Sequence, residues 1–267
     1  MPLKHATRLI FGHPAATIRP LHGGDLSTVS LLTLPSGRKI VAKQGPQVAR
    51  EARMLSAMAR AGAPVPEVLG LSGTVLFLEF LREITPDADG WSTLGHALRR
   101  LHGNLSPTFG WNEDYAFGAV AIPNTPRENW PDFWAEQRLF AAPEALPTEI
   151  SRRLDQVCKH LDTLLPARPP AALLHGDLWS GNLLFGPNCR AAFIDPACYY
   201  GDAEVDLAML HLFGAPPGEF LRAYGPLAPG WDVRRNIYQL WPALVHLRLF
   251  GNGYLPMIYS RLSALGF

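Results

Sequence analysis

Cysteine is scarce in this chain. Its 267 residues contain three, Cys158, Cys189 and Cys198, at irregular spacing and without a CxxC pair. An odd count so spaced argues against a disulfide framework and against a structural zinc site. It fits a reducing compartment, so a cytoplasmic location is expected. Charge of one sign is also missing: 24 Lys and Arg stand against 23 Asp and Glu, a formal net charge of +1. No basic stripe of the kind a nucleic-acid surface needs is legible, and no nucleic-acid partner is expected. No apolar run approaches the roughly 18 residues of a membrane helix. The opening MPLKHATRLIFGHPAATIRP lacks the continuous apolar region of a signal peptide. A membrane partner is therefore not expected either. No internal repeat is present, and the G-x-G-x-x-G pattern of protein kinases is absent. The 25 prolines and 24 glycines are spread along the chain as turn punctuation.

What is present is apolar: 48% of the residues are hydrophobic, enough for a large core in one domain or two lobes. The first part reads mostly as strands with one helix. TIRPL and STVSLLTL flank the glycine turn HGGD, and SGRKIVAKQG gives a turn and a strand ending near Lys43. QVAREARMLSAMARAG carries Val48, Ala52, Leu55, Met58 and Ala59 near helical spacing and stops at Gly62. VPEVLGLSGTVLFLEFL reads as two strands joined at SGT. After residue 82 the pattern turns helical. STLGHALRRLHGNL is an amphipathic helix capped by Ser92 or Thr93, and residues 105 to 131 look irregular but packed by aromatics. Further helices are expected near 132–142 and 147–165, then a short strand AAFID and helical segments to the end. The expectation is an α+β fold of two lobes, a β-rich N-lobe over residues 1–81 and a mostly helical C-lobe over 82–267, with a cleft between.

The chemistry concentrates in LLHGDLWSGNLLF, residues 173–185. His175, Asp177 and Asn182 lie between apolar runs, where unpaired polar groups would each cost about 1–3 kcal/mol. Asp195 ends the next apolar strand, thirteen residues beyond Asn182. Singly, Asp177 and Asn182 are common turn residues. In this order the set suits phosphoryl transfer: an Asp to take a proton from an attacking hydroxyl, and an Asn and a second Asp to hold Mg²⁺ against ATP phosphates. Upstream, Lys43 ends the strand IVAK, where a lysine can reach phosphates. Glu51 on the following helix can pair with it, although Arg50 and Arg53 beside it also fit a solvated face. Glu79, Phe80 and Leu81 read as a connector whose backbone groups can receive adenine. His175 is expected to orient the loop, Asp202 to cap the helix AEVDLAMLHLF, and Asp206 to brace the catalytic loop. Tyr199 and Tyr200 either line an acceptor pocket or pack. His96, His102, His211 and His246 read as packing or surface.

HGDLWSGN and FIDPACYYGDAEVDLAML resemble the signatures of the fructosamine kinase (ketosamine 3-kinase) family, within the aminoglycoside-phosphotransferase and protein-kinase-like superfamily. Gly23-Gly24, VAK at Lys43, EARML from Glu51, LEFL, LGHALRRLH, FGW at Trp111 and LFGNGY match in the same order, so the resemblance covers most of the chain. It implies a bilobal protein-kinase-like fold and an ATP- and Mg²⁺-dependent kinase acting on a sugar hydroxyl of a ketosamine, in repair or breakdown of glycation products. It implies Asp177 as catalytic base, Asn182 and Asp195 as metal ligands, and Lys43, oriented by Glu51, on the phosphates. The hinge after Glu79 would receive adenine, and the turn at Gly23 and Gly24 would cover the phosphates. Trp179 is expected at the sugar, and the acceptor is a free or protein-bound ketosamine handled by a monomer or weak dimer. Two positions depart from the pattern. Asp25 and Leu26 follow the glycines where many members carry a Cys, and Pro196 follows the metal Asp where protein kinases have Phe-Gly. The alternatives are a kinase of the aminoglycoside or choline type with another alcohol acceptor, and a nucleotide-binding regulator without turnover. A phosphoesterase lacks the further ligands it would need. Ser180 lacks the first glycine of a nucleophile elbow.

Overall fold

The computed structural model describes residues 2–21 and 27–267. The glycine turn expected at Gly23 and Gly24 lies outside the described residues. In chain order the first elements are α1 (Leu3–Phe11), β1 (Thr17–Pro20), β2 (Thr28–Thr33), β3 (Lys39–Gln44), α2 (Val48–Arg60), β4 (Val68–Ser72) and β5 (Val75–Glu79). The strands form one five-stranded antiparallel sheet in the order β1-β2-β3-β5-β4. Strand alternation sorts the two faces. Ile40, Ala42, Val75 and Phe77 turn to a core shared with Leu32 and with Ala6 of α1. Leu76 and Leu78 turn the other way, under Val48 and Leu55 of α2. Val41 and Lys43 share that second face, and both line the central cavity.

The second part begins with α3 (Ala88–His102), β6 (Leu105–Ser106), β7 (Tyr115–Phe117) and β8 (Val120–Ile122). It continues through α4 (Trp130–Trp134), α5 (Thr148–Lys159), α6 (Leu161–Leu164), β9 (Ala171–Leu173), β10 (Leu183–Gly186), β11 (Arg190–Phe193) and β12 (Tyr200–Gly201). It closes with α7 (Glu204–Leu210), α8 (Gly218–Tyr224), α9 (Trp231–Phe250) and α10 (Leu255–Ala264). Two buried clusters hold it. One stacks Trp130, Phe133, Trp134 and Tyr238 against α5, α9 and α10. The other joins α3 and α8 to Phe193, Leu183 and Leu207 beneath the segment that leads from β9 to β10. The whole is a mixed α+β fold, β-rich first and mostly helical after.

Several elements differ from the sequence-based expectation. The first part has a second helix, α1. It lacks a side-chain cap, since Pro2 occupies the cap position, and its end at Gly12 is left-handed with φ 82°. Helix α3 starts earlier than Ser92 because Asp87 supplies the cap: its Oδ1 accepts the Gly90 N–H at 2.8 Å. The helix expected near 132–142 is α4 followed by a π-helical turn, Ala135–Leu139, and the one near 147–165 is divided at His160. Residues 105–131 contain the short hairpin β7–β8. Among the described residues no helix is long and apolar enough to cross a membrane.

Candidate active site

A hairpin and a strand bring the polar residues together. β10 and β11 pair with Leu183 opposite Phe193, and Ile194 N–H donates to Asn182 O at 3.0 Å. Asn182 and Asp195 therefore stand at the open end of one hairpin. Asp195 has φ 54°, a left-handed backbone that Asp tolerates better than most residues. From β3, Lys43 Nζ reaches Asp195 Oδ1 at 2.8 Å and Glu51 Oε2 of α2 at 2.8 Å. The ammonium thus links the sheet, its helix and the hairpin. Burial works against the charge on Lys43, but Glu51 and Asp195 outweigh it and the pKa rises. Burial pushes Glu51 upward, against the pull of Lys43.

The loop between β9 and β10 is held by main-chain bonds. The Oδ2 and Oδ1 atoms of Asp206 in α7 accept the His175 and Gly176 N–H groups at 2.7 and 2.9 Å. His175 is fully buried. Its Nε2 donates to Ile194 O at 2.8 Å, which leaves Nδ1 to accept the Asp177 N–H at 3.2 Å. Burial lowers its pKa, so the imidazole is a neutral strut between loop and hairpin. Gly176 has φ 82°, and a Cβ there would collide with the Ala197 carbonyl. Asp177 is half-buried within this loop. Asn182 Nδ2 donates to its Oδ2 at 3.0 Å and to its carbonyl at 2.8 Å. Burial pushes the Asp177 carboxyl up to about 7; Asn182 opposes this, and Asp195 and Asp206 add to it.

The residues singled out by sequence converge on one cavity of about 1120 Å³. That exceeds the roughly 300–1,000 Å³ of a single-ligand pocket, leaving room for two substrates. Lys43, Glu51, Glu79, Phe80, Leu81, Asp177, Trp179, Asn182 and Asp195 all line it. The backbone N–H of Glu79 is already engaged by Glu67 O at 2.9 Å, which leaves Phe80 and Leu81 as the free part of the connector. Trp179 is 38% exposed, folds over Gly181 and stands edge-on to Phe213. Tyr199 and Tyr200 do not line the cavity; Tyr199 packs on Phe133 and Tyr200 on Trp111. The acids after Asp195 are engaged by protein donors. Asp202 accepts from Glu204 N–H and Tyr238 Oη–H, and Glu204 pairs with Arg234 through two 2.7 Å bonds. Tyr115 and His246 line the cavity too; the sequence singled out neither as a site residue, and His246 read as packing or surface. Each stands alone in its segment, with no spacing signal to mark it.

Asn182 Oδ1 and Asp195 Oδ2 take no hydrogen bond among the described residues, and both belong to the hairpin end. Two hard oxygens beside open cavity fit Mg²⁺, which takes one or two protein oxygens and fills its octahedron with phosphate and water. Among the described residues no group of three or more His, Cys, Asp or Glu forms a self-sufficient metal cage.

A lysine of the sheet paired with a glutamate of α2, and a carboxylate–amide loop across the cleft, define a protein-kinase-like phosphotransferase. The aminoglycoside phosphotransferase bound to AMP-PNP and hygromycin B shares this fold, with a TM-score of 0.67 at 19% identity over 98% of this chain and 96% of that one. The family model for fructosamine kinase matches residues 12–265. A probable ketoamine kinase of Synechocystis sp. is 37% identical over 225 residues, 80% of this chain and 76% of the relative. Another, of Thermus thermophilus, is 34% identical over 255 residues, 92% of each. The crystal structure of a fructosamine-3-kinase candidate from Thermobifida fusca superposes with a TM-score of 0.89 at 33% identity, covering 98% of both chains. The chain belongs to the fructosamine kinase family and is an ATP-dependent phosphotransferase.

Proposed function

We propose that the protein transfers the γ-phosphoryl group of Mg·ATP to a sugar hydroxyl of a ketosamine. The observation that carries this reading is the double ion pair of Lys43 with Glu51 and Asp195, 2.8 Å each, on the wall of the cavity that also holds Asp177 and Asn182. Lys43, held by Glu51, neutralises the phosphates. Asn182 Oδ1 and Asp195 would hold Mg²⁺, which would offset charge at the transferring group. Asp177 accepts the proton of the acceptor hydroxyl as its oxygen bonds to the γ-phosphorus. The bond from that phosphorus to the β–γ bridging oxygen breaks, and ADP leaves. Catalysis is then mostly positioning and charge neutralisation. Trp179, two residues beyond the base, offers its ring face to the sugar.

The ketosamine acceptor is supported by the names of the relatives and by the character of the acceptor half of the cavity. An aminoglycoside carries several ammonium groups and calls for acidic walls. The part of the lining from α7 and α9 contains no carboxylate among the described residues. ADP release from Mg·ATP should depend on a ribulosamine or fructosamine, and not on an aminoglycoside or choline, and it should vanish in Asp177→Ala. Turnover with only the two control acceptors would retain the phosphotransferase and discard the ketosamine.

A further inference from the structure

One part of the cavity wall is built from α7 and the residues just after it, from α9 and from Tyr254. Phe213, His246, Phe250 and Tyr254 form one aromatic cluster there. Ring centroids are 5.4 Å apart for Phe213–His246, 5.6 Å for His246–Phe250 and 4.8 Å for His246–Tyr254. Phe213 is also 5.9 Å from Trp179, so the cluster is continuous with the catalytic loop. Phe213 and Phe250 are each 48% exposed. Large aromatic faces left open on a cavity wall offer a ligand apolar area at little entropic cost.

The distribution of charge narrows the ligand. Lys43, Glu51, Glu79, Glu83, Asp177 and Asp195 line the cavity from the sheet, the connector, the catalytic loop and the hairpin end. From α7 onward, the described lining contains no Lys, Arg, Asp or Glu. The cluster has one polar ring edge suited to recognition. His246 Nδ1 is 2.7 Å from Pro242 O. A carbonyl only accepts, so Nδ1 carries the hydrogen, and in the neutral ring Nε2 is an acceptor. Nε2 has no partner among the described residues.

We propose that this cluster is the subsite for the amine-derived part of the acceptor, and that it selects ketosamines of uncharged aromatic or alkyl amines over those carrying a carboxylate. The inference rests on the ketosamine reading above and adds the substrate class. The secondary ammonium of a ketosamine gains from the ring faces and can donate an N–H to His246 Nε2. A carboxylate on the amine meets the negative ring faces, finds no cation on this wall, and loses water without compensation.

The test uses ribulosamines that differ only in the amine: benzylamine, butylamine and 4-(aminomethyl)benzoic acid. KM and kcat are read from ADP release. KM for the benzylamine adduct should lie about tenfold below that of its carboxylate-bearing counterpart, with similar kcat. Phe213→Ala and Phe250→Ala should each raise the benzylamine-adduct KM roughly tenfold while leaving kcat and the KM for ATP unchanged. Phe250→Arg should lower KM for the carboxylate adduct. Both side chains are half exposed, so these variants keep the core intact. Equal KM values for the adducts, or no effect of the Phe variants, would overturn the subsite. Absence of turnover with every ribulosamine, with Mg·ATP still bound, would instead overturn the ketosamine reading beneath it.

Discussion

Asp177 carries a conflict between its burial and its proposed task. A base must be ionised, yet burial pushes this carboxyl up to about 7. With nucleotide absent, the base form is therefore lost as pH falls through about 7. kcat/KM for ATP at saturating acceptor is expected to climb below that pH and level off above it. A profile flat from pH 5 to 8 would remove Asp177 from the role. The same shift has a consequence for stability. A carboxyl whose folded pKa is raised favours the folded state below its unfolded value, and that contribution is lost as pH rises through about 7. Asp177→Asn should accordingly lower kcat by about 10²–10⁴. At pH 8 it should also raise stability, by on the order of 1 kcal/mol. Denaturant titrations at pH 5 and pH 8 would check the second part, since the gain should shrink at the lower pH.

Elements differ in how far the sequence announces them. The loop and hairpin that carry the candidate site were legible because their signals are local: Asp177, Asn182 and Asp195 fall within one loop–strand–turn–strand segment whose apolar flanks mark its burial. β2, β3, α2 and the β4–β5 hairpin were legible through period and turn residues. Contacts between distant elements carried no such mark. α3 and α8 approach closely at Gly95, where an added Cβ would stand 2.5 Å from Phe220 O and 3.0 Å from Ala223 Cβ. In isolation Gly95 reads as a weak helix position, and replacement by Ala would favour the helix by about 0.5–1 kcal/mol. In the fold the clash is with backbone, so Gly95→Ala is expected to destabilise by about 1–3 kcal/mol. The urea midpoint should fall with the slope unchanged, and a rise in the midpoint would refute the close packing. Asp206 of α7 is the exception, a distant contact expected from the sequence as a brace for the loop and found there. It is fully buried and accepts two loop N–H groups and His102 Nε2. Asp206→Asn turns one acceptor into a donor facing a donor, at a cost of about 1–3 kcal/mol. It should reduce kcat as well, because the bonds it loosens position the residues beside Asp177.

Across the whole molecule, Lys43 is one of the residues at which the sheet and the helical part meet. Its bond to Glu51 lies within the sheet and its helix, while its bond to Asp195 crosses the cleft. The two are not equivalent energetically. The Glu51 side chain is 3% exposed and keeps the ammonium in place, whereas Asp195 is 34% exposed and faces the open cavity. Solvent screens the second pair and makes it the weaker tie. Phosphate oxygens entering the cavity can replace Asp195 on Lys43 and free that carboxylate for the metal. Nucleotide and metal should therefore bind as one unit. In a thermal melt, Mg·ATP at about 100 times its Kd should stabilise the protein by roughly 2.7 kcal/mol. ATP with EDTA should give a much smaller shift, and Mg²⁺ alone almost none. Asp195→Ala should abolish the difference between ATP with and without Mg²⁺ while retaining a shift from ATP, since Lys43 and Glu51 remain. Lys43→Met should lose most of both. An Asp195→Ala protein that still distinguishes Mg·ATP from ATP would place the metal elsewhere in the cavity and leave Asp195 as a partner of Lys43 alone.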